Sequence, residues 1–306
     1  MISRTLILSA TFFLSIVSSV GAQTCGALPY QLTNGSTADA SQVMANFTHV
    51  VNCNNNLAGF FRGWLAGLTL SNNSSSPNTV IDTAGGVANS DDASTLMSLS
   101  AFTKNANSGW VVGSGNGCLD SGSSLAASAW YHLFVIARTD TGVVDQLCST
   151  SATSPTLPAN YTKKRRIGSF RTNGSSQILR FVQDGDYFRL AASILDVNVT
   201  NPGSSAVSRT LTVPTGVNVV AMFNAAVYSS TTSVGVLFSD LAANDEAPVF
   251  GAAPLKQMLS GSLTAYGAFQ VRTNTASQIR SRIDTSDSNA ILMIATLGWI
   301  DSRGRF

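Results

Sequence analysis

Hydrophobic residues recur every three or four positions near the beginning of the chain. This spacing places them on one stripe of an α-helix, and the stripe comprises Ala40, Val43, Met44, Phe47, Val50 and Val51. Ser36 or Thr37 in the preceding turn is a suitable N-cap. A helix of about four turns is marginal alone. It must therefore bury its stripe, either against its own domain or against copies of itself.

From about residue 64 onward, the pattern changes to short runs that are typical of β-strands. Ile279, Ser281 and Ile283 alternate with charged residues, which is the two-residue period of a half-buried strand. Trp130–Arg138 is apolar on both faces, which indicates a buried strand, and the turn at 140–142 predicts a hairpin with the residues that follow.

Further along, the pattern predicts strands over 166–172 and 177–183, paired around Asn173–Gly174. Many short strands separated by regular turns favour a β-sandwich domain, jelly-roll-like in type, or two packed β subdomains. We therefore expect a mainly β protein with a short N-terminal α-helix. Its parts would be a helical neck at 23–60 and a β-sandwich at 61–306, with a subdivision near 150–162 as the alternative.

Composition agrees with a mainly β fold. Only 11% of the 306 residues are charged, and Glu246 is the single glutamate. Long exposed helices rely on Glu and Lys, so little helix is expected. The formal net charge of +2 gives no general attraction to nucleic acid or to an anionic membrane. We expect neither as a partner of the mature chain.

Residues 1–22 have the parts of a signal peptide. Arg4 provides the positive region, residues 6–17 form an apolar core, and Val20-Gly21-Ala22 supplies small residues before a cut at Gln23. The apolar run is shorter than the roughly 20 residues of a membrane-spanning helix. The sequence therefore predicts a secreted, periplasmic or cell-surface protein.

Export changes the interpretation of the cysteines. An oxidising compartment favours disulfides among Cys25, Cys53, Cys118 and Cys148. Three pairings are open, and we favour the local ones, Cys25 with Cys53 and Cys118 with Cys148. Neither pair has zinc-ligand spacing, so no metal or cofactor is expected.

No pattern of residues indicates a catalytic centre. The glycine-rich run at 113–120 lacks the lysine of a phosphate-binding loop. A serine triad would have to recruit His49 or His132. Asp91 with Asp92, and Asp184 with Asp186, are candidate carboxylate pairs for glycoside hydrolysis, although the latter pair flanks a tight turn. We predict no catalytic residue.

One basic cluster interrupts the polar sequence. It consists of Lys163, Lys164, Arg165 and Arg166. Such a cluster is suited to contact phosphate groups of a lipopolysaccharide or another anionic surface. The alternative is a solvated loop that enters a strand.

Two regions resemble a family of uncharacterised bacteriophage and prophage tail-fibre-like, virion-associated proteins. Residues 28–53 are similar to the segment that precedes tail-fibre and tailspike domains. The other motifs include Trp130-Tyr131-His132-Leu133-Phe134, Arg165-Arg166-Ile167-Gly168-Ser169 and Gly298-Trp299-Ile300-Asp301-Ser302-Arg303-Gly304-Arg305.

Together with the apolar stripe, this resemblance implies a homotrimer that engages a cell-surface glycan as a structural or surface-binding protein. Two alternatives stay open, a tailspike-like polysaccharide hydrolase and a bacterial adhesin or matrix component. The secretion leader departs from an ordinary virion protein, so the chain is either virion-associated or a domesticated surface protein.

Overall fold

The computed structural model describes residues 27–35, 37, 39–60, 63–230, 233–247, 258–261 and 264–305. The signal peptide predicted at 1–22 lies outside the described residues. The chain divides after Leu57 into two compact units, and each is described by itself.

The first unit contains most of the helix α1, Ala40–Phe60, whose last three residues fall in the second unit. Its N-cap is Asp39, whose side-chain Oδ1 accepts hydrogen bonds from the backbone N and the hydroxyl of Ser41 at 2.8 and 2.6 Å. These bonds hold the pKa of Asp39 below its ordinary value because they favour the carboxylate, as does the N-terminal end of a helix. The prediction of a cap at Ser36 or Thr37 is wrong, since the helix begins at Ala40.

The second unit is built of β-strands. Along the first half of the chain, the strands are β1 Leu65–Gly67, β2 Leu70–Asn72, β3 Val80–Thr83, β4 Gly86–Asn89, β5 Leu96–Leu99, β6 Phe102–Gly109, β7 Gly117–Leu119, β8 Trp130–Ala137 and β9 Val144–Ser149. They continue as β10 Lys163–Arg171, β11 Phe181–Asp184, β12 Tyr187–Thr200, β13 Val207–Thr210, β14 Val220–Tyr228, β15 Val234–Ser239, β16 Met258–Gly261, β17 Thr264–Arg272, β18 Gln278–Ile283 and β19 Ile291–Ile300.

Among the described residues, these strands form three sheets. The largest has twelve strands in the order β10-β8-β9-β7-β6-β3-β2-β11-β12-β19-β14-β17. The others have the orders β1-β4-β5 and β13-β18-β15-β16. Most strand pairs are antiparallel, with β7 parallel to both β6 and β9. The expectation of a mainly β chain with a sandwich-type domain is confirmed.

Aromatic side chains fill the core, both between two sheets and between distant strands of the large sheet. Phe238 of β15 lies 5.2 Å from Phe223 of β14 and 4.8 Å from Phe269 of β17, measured between ring centroids, which packs the four-stranded sheet against the large one. Trp299 stacks on Phe188 at 5.2 Å and meets Trp130 edge-on at 5.1 Å. Such pairs contribute about 0.5–1.5 kcal/mol each beyond the apolar area that they bury.

Two hairpins that were predicted from the sequence can be compared with the observed strand pairs. The strand at Trp130–Ala137 is buried along its whole length and pairs with β9, as predicted. The predicted pairing around Asn173–Gly174 is wrong, because β10 pairs with β8 while β11 pairs with β12. Only an isolated bridge between Thr172 and Ile178 remains there.

The twelve-stranded sheet has a narrow join at its centre. A single residue pair, Ser71 with Val182, connects β2 to β11. Side-chain amides reinforce this join. The backbone N of Leu70 donates a hydrogen bond to Oε1 of Gln183 at 2.7 Å, and the amide of Asn72 forms hydrogen bonds with backbone atoms near the start of β11. The subdivision suggested near 150–162 falls between β9 and β10, which lie in the same half of the sheet. The chain crosses to the other half between β10 and β11.

Candidate functional site

One disulfide joins neighbouring strands. Cys118 in β7 is bonded to Cys148 in β9, and Leu119 pairs with Cys148 in the sheet. This local pairing was one of the two that we favoured, and it is confirmed. Cys53 is also disulfide-bonded, whereas Cys25 lies outside the described residues.

The apolar stripe of α1 is exposed along most of its length. More than half of the surface of each large apolar side chain at positions 44, 47, 50 and 51 is accessible, from 54% at Val50 to 63% at Phe47. Ala40 is exposed and Val43 is half-buried. A different face of the helix carries Asn46, whose amide exchanges two hydrogen bonds with the backbone of Tyr30 at 2.8 and 3.0 Å.

The basic cluster does not form a solvated loop. Residues 163–166 begin β10, the edge strand of the twelve-stranded sheet. Arg165 and Arg166 are buried, at 3% and 9% exposure. Lys163 and Lys164 bind Asp92 and Asp91 at 2.5 Å. The expectation of a solvated loop is therefore wrong, because the side chains of Arg165 and Arg166 turn into the protein. Contact of the cluster with an anionic surface stays a prediction.

These cationic side chains line a cavity beside the edge strand. We call it the arginine cavity, and its volume is about 540 Å³. Its charged lining consists of Asp91, Lys164, Arg165, Arg166, Arg303 and Arg305. The uncharged remainder is Gly63, Phe134, Ala152, Thr153, Val217 and Gly304.

A buried ion pair forms the base of this arrangement. Arg166 donates two hydrogen bonds to the carboxylate of Asp301, at 2.5 and 2.7 Å. Burial opposes ionisation of Asp301, but Arg166 and the backbone N of Arg303 outweigh that effect and hold the pKa of the carboxyl below its ordinary value. Such a two-bond contact fixes the guanidinium plane as well as its charge.

A second carboxylate binds the other two arginines. Arg303 approaches Asp186 at 3.2 Å, and Arg305 pairs with the other oxygen of the same carboxylate. Arg303 itself is only 3% exposed. Burial and the nearby charge of Arg166 lower the pKa of Arg303, with Asp301 opposing.

The positive charges outnumber the negative ones at this site. Among the described residues, five cationic side chains line the cavity, and their carboxylate partners are Asp91, Asp186 and Asp301. Two buried donor atoms, Nη1 of Arg303 and Nε of Arg305, have no hydrogen-bond partner. The described part of this site therefore carries an excess of positive charge.

The turn that holds these arginines has an unusual backbone. Arg303 and Gly304 both have left-handed φ angles, 54° and 68°. Glycine adopts this region freely, whereas a residue with a Cβ pays about 1–2 kcal/mol. The backbone N of Arg303 donates to Asp301 at 2.8 Å, and Arg165 donates to the carbonyl oxygen of Gly304 at the same distance. The surrounding ion pairs thus impose the strained conformation.

The contact between His132 and Ser169 does not have the arrangement of a catalytic triad. Nδ1 of His132 lies 2.9 Å from the hydroxyl of Ser169, but both residues have no exposed surface. Asp301 binds Arg166 rather than the imidazole. Burial, together with Arg166, lowers the pKa of His132 to about 4, so the ring is neutral at pH 7.

The candidate carboxylate pairs take part in ion pairs. Asp91 and Asp92 bind the two lysines of β10, and Asp186 binds the C-terminal arginines. Burial disfavours the charged form of Asp92, but hydrogen bonds from Lys163, Ser90 and Ser94 outweigh it and lower its pKa. Asp184 ends β11. Sequence reasoning recognised the cations of β10 but missed Asp301 as the partner of Arg166, and it missed Arg303 and Arg305 as further cations of the same site.

A second concave surface lies on the large sheet and is mostly apolar. It has a volume of about 450 Å³ and is lined by residues of β12, β14, β17 and β19, including Leu195, Tyr266 and Met293. Tyr266 is 78% exposed. This surface and the stripe of α1 are the apolar candidates for contact with another molecule.

Two kinds of site are missing from the described part of the chain. No group of three or more His, Cys, Asp or Glu side chains there is arranged to hold a metal ion. No helix within the described ranges combines the length and the hydropathy needed to cross a bilayer.

Comparisons with known proteins give no family. No protein-family model matches the chain, and no curated protein matches it. Among solved structures, it is similar to a tryptic core variant of Cry1Da from Bacillus thuringiensis, with a TM-score of 0.20 and 9% sequence identity. The match covers 76% of this chain and spans half the length of that protein. A likeness at this level carries no argument about function.

Proposed function

We propose that this protein is a secreted, non-enzymatic surface-binding protein of phage-fibre type. In this proposal, α1 assembles three copies of the chain, and the β units bind a cell-surface glycan. The observation that carries the proposal is the exposed apolar stripe of α1, with Met44, Phe47, Val50 and Val51 all more than half accessible.

The stripe supports assembly because its exposure is costly in a monomer. Full burial of a large apolar side chain contributes roughly 1.5–3 kcal/mol. Spacings of three and four residues give a continuous seam, the arrangement by which helices pack in coiled coils. The polar contact between Asn46 and Tyr30 lies off this seam, so it leaves the stripe free for other copies.

Light scattering coupled to size-exclusion chromatography tests the assembly on the secreted chain. We expect three times the mass of one chain for the wild type. The combined substitution Met44→Ser, Phe47→Ser and Val51→Ser should give a monomer with an unchanged β-sheet circular dichroism signal. Asn52→Ser, an exposed change away from the stripe, is the matched control and should stay trimeric. A strictly monomeric wild type would refute the proposed assembly.

The glycan part has its own test. A glycan array probed with the purified oligomer should show binding that weakens in the monomeric variant, because linked sites gain avidity. Release of oligosaccharide from host capsule or lipopolysaccharide during the incubation would contradict a non-enzymatic protein.

A further inference from the structure

We infer that the arginine cavity binds a phosphate ester of about the size of a phosphorylated sugar. The inference depends on neither trimer formation nor the apolar stripe. It rests on the charge, the donors and the volume of the cavity.

The charge argument starts from the imbalance within the site. Lys164 is paired with Asp91, and Arg166 is paired with Asp301. The carboxylate of Asp186 forms ion pairs with both Arg303 and Arg305. Arg165 lies 3.9 Å from Asp91 as well, so five cations face three carboxylates among the described residues. An excess of like charge in a partly buried site is unfavourable, and a doubly charged anion would neutralise it.

The guanidinium groups indicate which kind of anion fits. Four of the five cations that line the cavity are arginines, and the side chain of Arg305 is 28% exposed. A guanidinium presents its N–H groups in a planar fork that matches phosphate oxygens, and several arginines together are typical of phosphate recognition. Phosphate offers oxygens in several directions, so neighbouring guanidinium groups can share it.

The volume indicates more than a bare ion. The cavity of about 540 Å³ falls within the range of small-molecule sites. Phe134, Ala152 and Val217 supply an uncharged wall for the remainder of such a ligand. Thr153 and Gly304 are exposed, so the cavity is open to solvent on their side.

A purely structural role is the competing explanation. The same ion pairs attach the C-terminal turn to β10, and such a network stabilises the fold without any ligand. The two explanations differ in one measurable respect. Only a binding site responds to a soluble phosphate ester with a saturable change.

Calorimetry and thermal unfolding of the full chain provide the first test. Glucose 6-phosphate, inorganic phosphate and glucose are compared at constant ionic strength, since general screening would otherwise contribute. We expect saturable heat and a rise in Tm with glucose 6-phosphate, a weaker response to inorganic phosphate and none to glucose. Absence of a response to both phosphates would overturn the inference.

A charge placed at the open side gives the sharpest variant. Thr153→Glu adds a carboxylate to an exposed lining residue and should abolish the response to glucose 6-phosphate. Ser154→Glu adds the same charge to the exposed neighbouring residue, which does not line the cavity, and should retain the response. Equal responses in the two variants would contradict binding in this cavity.

Removal of a cation gives a second, independent variant. Arg305→Gln should weaken binding about tenfold or more, the usual effect of losing a charge-assisted hydrogen bond. Arg272→Gln, which removes an exposed arginine paired with Asp240, is the control and should bind as the wild type does. If Arg305→Gln lowers Tm without weakening binding, the residue is structural and the inference fails for that arginine.

The source of the phosphate is resolved by a third measurement. Vesicles of phosphatidylcholine with or without phosphatidic acid are sedimented with the protein. We expect no co-sedimentation, since the phosphate lies on a soluble or glycan-borne ester. Co-sedimentation that Thr153→Glu abolishes would overturn the sugar-sized ligand in favour of a lipid headgroup.

Discussion

Acidification should destabilise the β unit through one buried side chain, His132. The imidazole has no exposed surface, and the groups around it include the hydroxyl of Ser169, the guanidinium of Arg166 and the carboxylate of Asp301. Burial and Arg166 disfavour its protonated form, while Asp301 and the backbone of Thr215 favour it, and the net pKa falls from 6.5 to about 4. The imidazole of His132 therefore binds a proton more weakly in the folded protein than in the unfolded chain.

The magnitude follows from the two pKa values. The neutral ring contributes stability that is fully present above pH 6.5 and is lost as the pH falls toward 4. The complete shift corresponds to about 3 kcal/mol, of which about 2 kcal/mol should be lost between pH 7 and pH 4.5. Asp92 and Asp301 have pKa values below 3.8, so their own contributions disappear only at lower pH.

Urea unfolding at several pH values between 7 and 4.5, followed by tryptophan fluorescence, measures this loss. His132→Asn should reduce the pH dependence in that window, whatever its effect at neutral pH. Asn52→Ser, an exposed change on α1 that removes no titratable group, is the control and should keep the pH dependence of the wild type. If His132→Asn loses as much stability on acidification as the wild type, the reasoning about the buried imidazole is refuted.

Urea unfolding of three further variants tests the disulfide, a buried ion pair and a close backbone contact. Cys118→Ala with Cys148→Ala should lower the free energy of unfolding by about 3.6 kcal/mol, because the bond closes a loop with a sequence separation of 30; an unchanged value would contradict this. Asp301→Asn should cost about 3–5 kcal/mol by leaving a buried arginine unpaired, and a loss below 1 kcal/mol would show that the charge is solvated. Gly298→Ala should cost several kcal/mol, since its Cβ would lie 2.1 Å from a backbone oxygen of the next strand, whereas Gly174→Ala has open space and should be neutral.

Local patterns in the sequence were sufficient for the local parts of the fold. The apolar run at Trp130–Ala137 and the turn after it predicted a buried strand and its hairpin, because both depend on neighbouring residues. The same reasoning failed around Asn173–Gly174. There, the flanking segments pair with distant strands, and a local turn signal carries no information about those partners.

The arginine cavity could not be predicted from the sequence for a related reason. The carboxylate that pairs with Arg166 is 135 residues away, and Asp186 is 117 residues from Arg303. A run of four cations without visible counter-charges is expected to be solvated. The fold brings distant carboxylates next to these cations, and their charges compensate for the burial of Arg165 and Arg166.

The single residue pair between Ser71 and Val182 has a consequence for how the chain folds. Since one backbone contact and a few amide side chains connect β2 to β11, the strand pairing within each half can form before the halves meet. The contacts of Trp130 with Trp299 and of Arg166 with Asp301 then form when the halves dock. Loop-closure entropy makes such a distant docking step slow. During synthesis, β2 is an unpaired edge strand until β11 has been made. Pairing of this edge with another chain competes with correct folding during that time.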